Sequence, residues 1–359
     1  MYAGEHWVCP QTNFGGGRHI PGRTSGPPTA ANLNWKCDSF ERTVKMQNNT
    51  TEIKWESAIE FSKIPDNNIL EIMKKANALR KQYKQNTVFT CGIINAKSGF
   101  CSQDCAFCAQ SIHHQTNAKT YPLFDKQTII DQALKFEDHG TSHFSIVTSG
   151  FMLNSQEMDT ICNAIIEIRK RTNISICTSL GTISSKMAHQ LKQSGVTNYH
   201  HNLETAQSYF RQICTTHDYH DDIETIHMAK SAGLSVCCGG IMGLGESWEQ
   251  RIELAFLLRE LKVDSIPINF LNPIPSTKLE NQALLSSSTA LKCIALFRLI
   301  HPEKDIVVCG GREITLKKDQ SRLFFAGANG LMIGDYLTTP GQQIETDLKM
   351  IHDLGLHIK

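Results

Sequence analysis

No apolar run in this 359-residue sequence is longer than a strand, so nothing in it approaches the ~20 apolar residues of a membrane-spanning helix. It also lacks an excess of either charge. Thirty-six lysines and arginines stand against 35 aspartates and glutamates, a formal net charge of +1. Without a basic surplus there is no electrostatic reason to expect nucleic acid or an anionic membrane surface as partner. The opening residues lack the basic-then-apolar pattern of a secretory signal, so the expected location is the cytoplasm. That expectation colours the reading of the 13 cysteines, an odd number. In a reducing compartment a long chain uses clustered cysteines as metal ligands or catalytic groups, and scattered ones as small buried apolar residues.

What is present is ordinary for a soluble enzyme with a real core: 40% hydrophobic and 20% charged residues. The stretch Phe14 to Pro28 is rich in Gly and Pro and has no apolar period, which reads residues 1–51 as a disordered extension or a non-native start. Cys9 and Cys37 fall there and receive no role. From residue 52 the pattern becomes regular. Ile69 to Tyr83 has helical periodicity. Eight strand-like segments follow, at Val88–Asn95, Phe144–Ser149, Ser175–Leu180, Asn198–Glu204, Ser235–Met242, Ser265–Leu271, Ile306–Gly310 and Leu331–Asp335. Amphipathic stretches such as Thr128–His139, Ser184–Ser194 and Trp248–Leu261 separate them. Gly140, Gly195 and Gly233 close helices. Strand–helix alternation of this length predicts a parallel (β/α)8 TIM-type barrel over 52–359, with a doubly wound open sheet as the alternative.

Directly after the first strand, Cys101, Cys105 and Cys108 are separated by three and then two residues. A loop so spaced can wrap three corners of a 4Fe-4S cube and leave the fourth iron open to chelate S-adenosylmethionine. Reduction of that sulfonium yields a 5′-deoxyadenosyl radical, chemistry that belongs to the cofactor. Zinc is the alternative, and it would want a fourth ligand such as His113 or His114. Gly239 to Glu246 fits a backbone lying close to a nucleoside, or simply a turn. Asn202 and Glu204, two apart at the end of a strand, share a face and suit ribose hydroxyls, or form a solvated strand end.

These residues resemble the biotin synthases from about Trp55 onward. The resemblance rests on Asn95-Ala-Lys-Ser-Gly-Phe-Cys101, Leu180-Gly-Thr-Ile183, His201-Asn-Leu-Glu204, Gly239–Glu246, Pro267-Ile-Asn-Phe270, Gly310-Gly-Arg-Glu313, Phe325-Ala-Gly-Ala-Asn329 and Leu337-Thr-Thr-Pro340. It implies a homodimeric barrel that inserts sulfur into dethiobiotin. Two S-adenosylmethionine molecules would be consumed per turnover. Electrons would come from a protein such as flavodoxin or ferredoxin, and the sulfur from an auxiliary iron–sulfur cluster, 2Fe-2S or a rearranged variant. It assigns Cys101, Cys105 and Cys108 to the radical cluster, Asn202 and Glu204 to the ribose (the family often has Asp at Glu204), and Asn269 to dethiobiotin. His200 stands where the family has a second substrate-contacting asparagine. Related radical enzymes without sulfur insertion, of the methylornithine-mutase or hydrogenase-maturation type, are the alternative, and a non-catalytic zinc scaffold is a third.

The resemblance also implies three cysteines and an arginine around the auxiliary cluster. Cys177, Cys237 and Arg312 match, but Ser145 replaces the first cysteine, and a hydroxyl is a poor ligand for iron in a sulfur cluster. Either that cluster is absent or its ligands are rearranged. Cys91, Cys177, Cys237 and Cys309 fall on the first, third, fifth and seventh strands, and barrel layers draw from alternate strands. This predicts a ring of Cys177, Cys237 and Cys309, with Cys91 as a fourth ligand and Arg312 as ligand or charge partner. Ser145, on the second strand, would lie outside it. Cys238 should point away from Cys237. Cys162, Cys214 and Cys293 read as helix packing.

Overall fold

The computed structural model describes residues 53–359; the extension read over 1–51, with Cys9 and Cys37, lies outside them. Two helices, α1 (Trp55–Ser62) and α2 (Leu70–Lys84), precede the first strand and pack on helices that follow later in the chain. Then β1 (Thr87–Lys97), α3 (Lys126–Asp138), β2 (His143–Thr148), α4 (Ser155–Arg171), β3 (Ser175–Ser179), α5 (Ser185–Ser194) and β4 (Asn198–His200) alternate. After α6 (Gln207–Ile213) and α7 (Tyr219–Ser231) the fifth strand position is shared by β5 (Ser235–Cys237) and β6 (Gly240–Met242). The series ends with α8 (Trp248–Glu260), β7 (Ser265–Phe270), α9 (Ser287–Ile300), β8 (Asp305–Val308), α10 (Arg312–Leu316), α11 (Arg322–Phe325), β9 (Gly330–Met332), α12 (Ile344–Asp353) and β10 (His357–Ile358).

All barrel pairings are parallel, and β9 pairs back onto β1 through Phe89↔Gly330 and Cys91↔Met332. The sheet is therefore a closed eight-position barrel, and the open-sheet alternative falls. Apolar faces of the outer helices cover it: α4 buries Met158, Ile161, Ile165 and Ile168 against strand residues such as Ile146 and Ile176. Several helices start at side-chain caps, among them Asn154 with Glu157 and Ser247 with Gln250, each cap being worth about 1 kcal/mol. Among the described residues no helix is long and apolar enough to cross a membrane.

Two departures from the sequence pattern matter for the site. The fifth strand reads as one run, yet it breaks between Cys237 and Gly240. Gly239 lies so close to β7 that a Cβ there would sit 1.9 Å from the Pro267 carbonyl oxygen, so only glycine permits the approach. The fourth strand is regular only to His200, then continues irregularly to a bridge between Glu204 and Gly240.

Candidate active site

Strand side chains alternate about the sheet, so every second residue faces the barrel interior. At the C-terminal ends of the strands, where barrel enzymes carry their sites, the interior opens into a cavity of about 440 Å3. Cys101, Cys105 and Cys108 line it from the loop after β1. That loop is held by backbone bonds: Cys101 N–H donates to Gln110 O (3.1 Å), Ile112 N–H to Cys101 O (2.9 Å) and Cys108 N–H to Cys105 O (2.9 Å). The Gln110 side-chain oxygen accepts from the Ser98 hydroxyl at 3.0 Å, inside the same turn. Hydrogen bonding to Cys214 and burial push the Cys105 thiol up, and burial pushes Cys108 up to about 11.

The zinc alternative finds no support here. His113 Nε2 lies 3.1 Å from the Ser102 carbonyl and His114 Nδ1 2.8 Å from the Cys108 carbonyl, and neither imidazole lines the cavity. The three loop thiols instead face one open space, the donor set of a cluster with an exchangeable corner.

Deeper in the same cavity stand Cys91, Cys177, Cys237 and Cys309. Burial pushes Cys91 and Cys237 up to about 12 and also raises Cys177 and Cys309 well above the usual thiol range. Negative charge on Cys91 or Cys237 would raise both of the others, so the four lie within electrostatic reach of one another. Thiols held this way deprotonate when a cation binds them. Cys238 is fully buried on the outward side and does not reach the cavity, as the strand parity predicts.

Three expectations need correction. Ser145 is not outside the ring: it pairs in register with Cys177 and lines the cavity beside it. The alternate-strand rule describes a filled interior, whereas an unfilled mouth is lined from neighbouring strands together. Arg312 does not face the cavity. Gly311, at φ +78°, does turn the chain, but it carries the guanidinium into a buried pocket against Asp347, Glu313 and Gln320. Cys214, read as helix packing, is buried in the core but also lines the cavity, with its sulfur 3.8 Å from that of Cys105. Cys162 and Cys293 do pack in the core.

Asn202, Glu204, Asn269 and His200 all line the cavity. Asn202 donates to Glu204 Oε2 at 3.3 Å and accepts from Gly239 N–H at 3.2 Å. Glu204 sits at φ +61°, a strained setting for a side-chain-bearing residue. Burial and the charge of Asp222 push its carboxyl up to about 8. Asn269 Oδ1 accepts from Gly310 N–H at 3.1 Å, which ties β7 to the turn after β8. His200 is paired with Cys237, and burial with its neighbour His201 pulls it down to about 4, so it is neutral near pH 7.

Sequence reasoning missed a polar group on the far wall. Asp222 on α7 receives His201 Nε2 at 2.8 Å and stands 3.3 Å from His217 Nε2. His217 Nδ1 in turn lies 3.2 Å from Cys214 Sγ. The available signal was the run Cys214-Thr-Thr-His217, thiol and polar residues just where α6 ends.

Comparison with known proteins gives this cavity a context. The sequence matches the radical SAM superfamily over residues 96–258 and the biotin and thiamin synthesis associated domain over residues 267–357. A biotin synthase from Syntrophus aciditrophicus (strain SB) is 50% identical over 299 residues, 83% of this chain and 92% of that protein. One from Nitratidesulfovibrio vulgaris (strain DSM 19637 / Miyazaki F) is 48% identical over 321 residues, 86% of this chain and 88% of that protein. The crystal structure of a methylornithine synthase superposes with a TM-score of 0.76 at 16% identity, covering 86% of this chain and 94% of that one; at that identity it shows a shared fold alone. With two full-length relatives near half identity and cysteines gathered at both depths of one cavity, the chain belongs to the biotin synthase family of radical S-adenosylmethionine enzymes.

Proposed function

We propose that the chain converts dethiobiotin to biotin at this cavity, with Cys101, Cys105 and Cys108 holding a 4Fe-4S cluster at its mouth and the deeper thiols holding an auxiliary cluster. The observation that carries the proposal is the joining of two cysteine sets in one cavity, three on the loop and four on the strands or, for Cys309, just past a strand end. The mouth cluster, when bound, supplies the electron that cleaves S-adenosylmethionine to methionine and a 5′-deoxyadenosyl radical. Two C–H bonds must be broken to admit one sulfur, so two S-adenosylmethionine molecules are used. A mutase or a hydrogenase-maturation enzyme has no need of an interior thiol ring, which disfavours those alternatives.

The chain's own residues bind and orient. A carboxyl raised to about 8 is largely protonated at neutral pH, so Glu204 can donate to one ribose hydroxyl while accepting from another. Asn202, held by Gly239, fixes its rotamer. Neutral His200 has one ring donor and one acceptor, enough for one edge of a ureido group. Asn269 keeps an N–H and a lone pair beyond those engaged with Gly240 and Gly310.

For the auxiliary cluster the ligand set we favour is Cys177, Cys237 and Cys309, with Cys91 as the fourth. Serine at 145 cannot match a thiolate as an iron ligand, and the cavity offers Cys309 and Cys91 instead. Arg312, with its guanidinium tied to acids, serves as a nearby charge partner of Cys309. The family resemblance further supports a cytoplasmic homodimer reduced by a flavodoxin or ferredoxin. The test is anaerobic reconstitution with iron and sulfide, then incubation with dethiobiotin, S-adenosylmethionine and reductant. Biotin should appear with two 5′-deoxyadenosine per biotin. 5′-Deoxyadenosine without biotin would favour the alternatives lacking sulfur insertion.

A further inference from the structure

The residue just before Cys105 is an aspartate that is 6% exposed. Nothing in its immediate loop partners the carboxylate. Its contacts lie more than a hundred residues away, in the segment joining α6 to α7 and at Lys278 in the segment after β7. Oδ1 accepts from Thr215 N–H at 2.8 Å and faces Cys214 Sγ at 3.4 Å. Oδ2 accepts from the Thr215 hydroxyl at 2.6 Å and from Lys278 at 3.3 Å. The Asp104 N–H donates to Thr216 Oγ1 at 3.1 Å. That hydroxyl has one hydrogen and two acceptors in reach, Gln103 Oε1 at 2.8 Å and Asp104 Oδ1 at 3.2 Å. On the other side of Cys105, Ala106 N–H donates to Ile213 O at 2.8 Å.

Cys105 is thus pinned from both flanks to residues 213–216. The loop's own backbone bonds tie Cys105 to Cys108 and Cys101 to Gln110 and Ile112, but these bonds within the loop do not anchor Cys105 to the wall formed by residues 213–216. Metal ligands depend on outer partners in this way, and removing such a partner typically costs about 10–100-fold in metal affinity.

We propose that Asp104 is a positioning residue for the radical cluster: its buried carboxylate clamps the loop to Thr215 and Thr216 and fixes Cys105 before iron binds. The proposal rests on the assignment of Cys101, Cys105 and Cys108 to that cluster. A clamp of this kind controls how long the cluster is retained. The barrel's own stability draws on the distant helix and strand packing.

The experiment uses full-length Asp104→Asn, Asp104→Ala, Thr215→Val and Cys105→Ala, each reconstituted anaerobically with iron and sulfide and reduced with dithionite before EPR. The readouts are the rate at which a ferrous chelator removes the EPR signal that shifts on adding S-adenosylmethionine, and the melting midpoint of the apoprotein. Cluster loss should quicken about 10–100-fold in Asp104→Ala, with Asp104→Asn and then Thr215→Val showing smaller increases. Melting midpoints should stay within a few degrees of wild type. Thr215→Val keeps the backbone N–H bond, so it reports even where the alanine variant folds poorly. Wild-type loss rates in all three clamp variants would overturn the proposal, as would increases that merely track a fall in the apoprotein midpoint. Cys105→Ala should lack the signal altogether; if it keeps it, the cluster assignment beneath the proposal is what fails.

Discussion

Two fully buried arginines, at opposite ends of the barrel, are treated differently by the fold. Arg298, at the end of α9, uses every nitrogen: Nε on Gly327 O, Nη1 on three further carbonyls, and Nη2 on Asn329 Oδ1 at 2.7 Å. Asn329 then accepts from Ile306 N–H and donates to Asp305, which also meets Lys84. Arg312, at the mouth, pairs through its outer nitrogens with Asp347, Glu313 and Gln320, but its Nε has no partner. At the floor, the Arg298–Asn329 network is satisfied in full, as a stabilising buried network should be. The mouth holds an underused cation, a carboxyl raised to about 8 and thiols that only a cation would deprotonate.

Substitutions at the two ends should therefore separate chemistry from stability. The largest effect belongs to the mouth. Cys101→Ala, Cys105→Ala and Cys108→Ala should each eliminate 5′-deoxyadenosine formation in a reduced, reconstituted enzyme while the far-ultraviolet spectrum of the barrel stays unchanged. Retained formation in any one breaks the comparison. Next comes Cys309→Ala, in which biotin should fall to near zero while S-adenosylmethionine cleavage persists, read by counting both products; Cys91→Ala should do the same less completely. Wild-type biotin in both variants would make these residues packing alone.

At the floor, Asn329→Ala should cost about 2–4 kcal/mol in urea unfolding of the apoprotein, because it strands a buried guanidinium and a backbone donor. Its iron content and product ratio should match wild type. The smallest effect concerns Glu204. Its folded carboxyl titrates near 8 rather than near 4, so the folded state holds a proton that the unfolded state has lost between those values. Stability should then decline as pH rises from about 5 to 8 and level off above. Glu204→Gln removes that slope, so the melting difference between variant and wild-type apoprotein should widen from pH 6 to pH 9. A constant difference would mean the carboxyl titrates normally.

The mouth was legible because its signal is local. Cysteines at positions 101, 105 and 108 sit on one short loop, and no folding knowledge is needed to see them together. The parallel strand–helix alternation was legible, through its regular period and helix-ending glycines such as Gly195, at φ +105°, whereas closure itself was not and is decided by β9 pairing back onto β1. The interior was only half legible. Strand parity separated Cys237 from Cys238, but layer membership depends on the stagger between strands, which put Ser145 beside Cys177. The break at Gly239 hides inside an apolar run, since the cause is a carbonyl of β7. The turning of Arg312 away from the cavity and the cavity-facing side of Cys214 were missed for a related reason: a single turn residue and a helix end decide their direction, and neither has a periodicity to betray it. β10, two residues pairing with the start of β1, is too short for any pattern.

The central claim is two iron–sulfur sites in one cavity, and Mössbauer spectra of 57Fe-reconstituted protein test it most directly. Two separable iron populations should appear, one lost in the Cys101→Ala/Cys105→Ala/Cys108→Ala variant and the other in Cys177→Ala/Cys309→Ala. A single population in the wild type, removed entirely by the loop substitutions and untouched by the interior ones, would contradict the account.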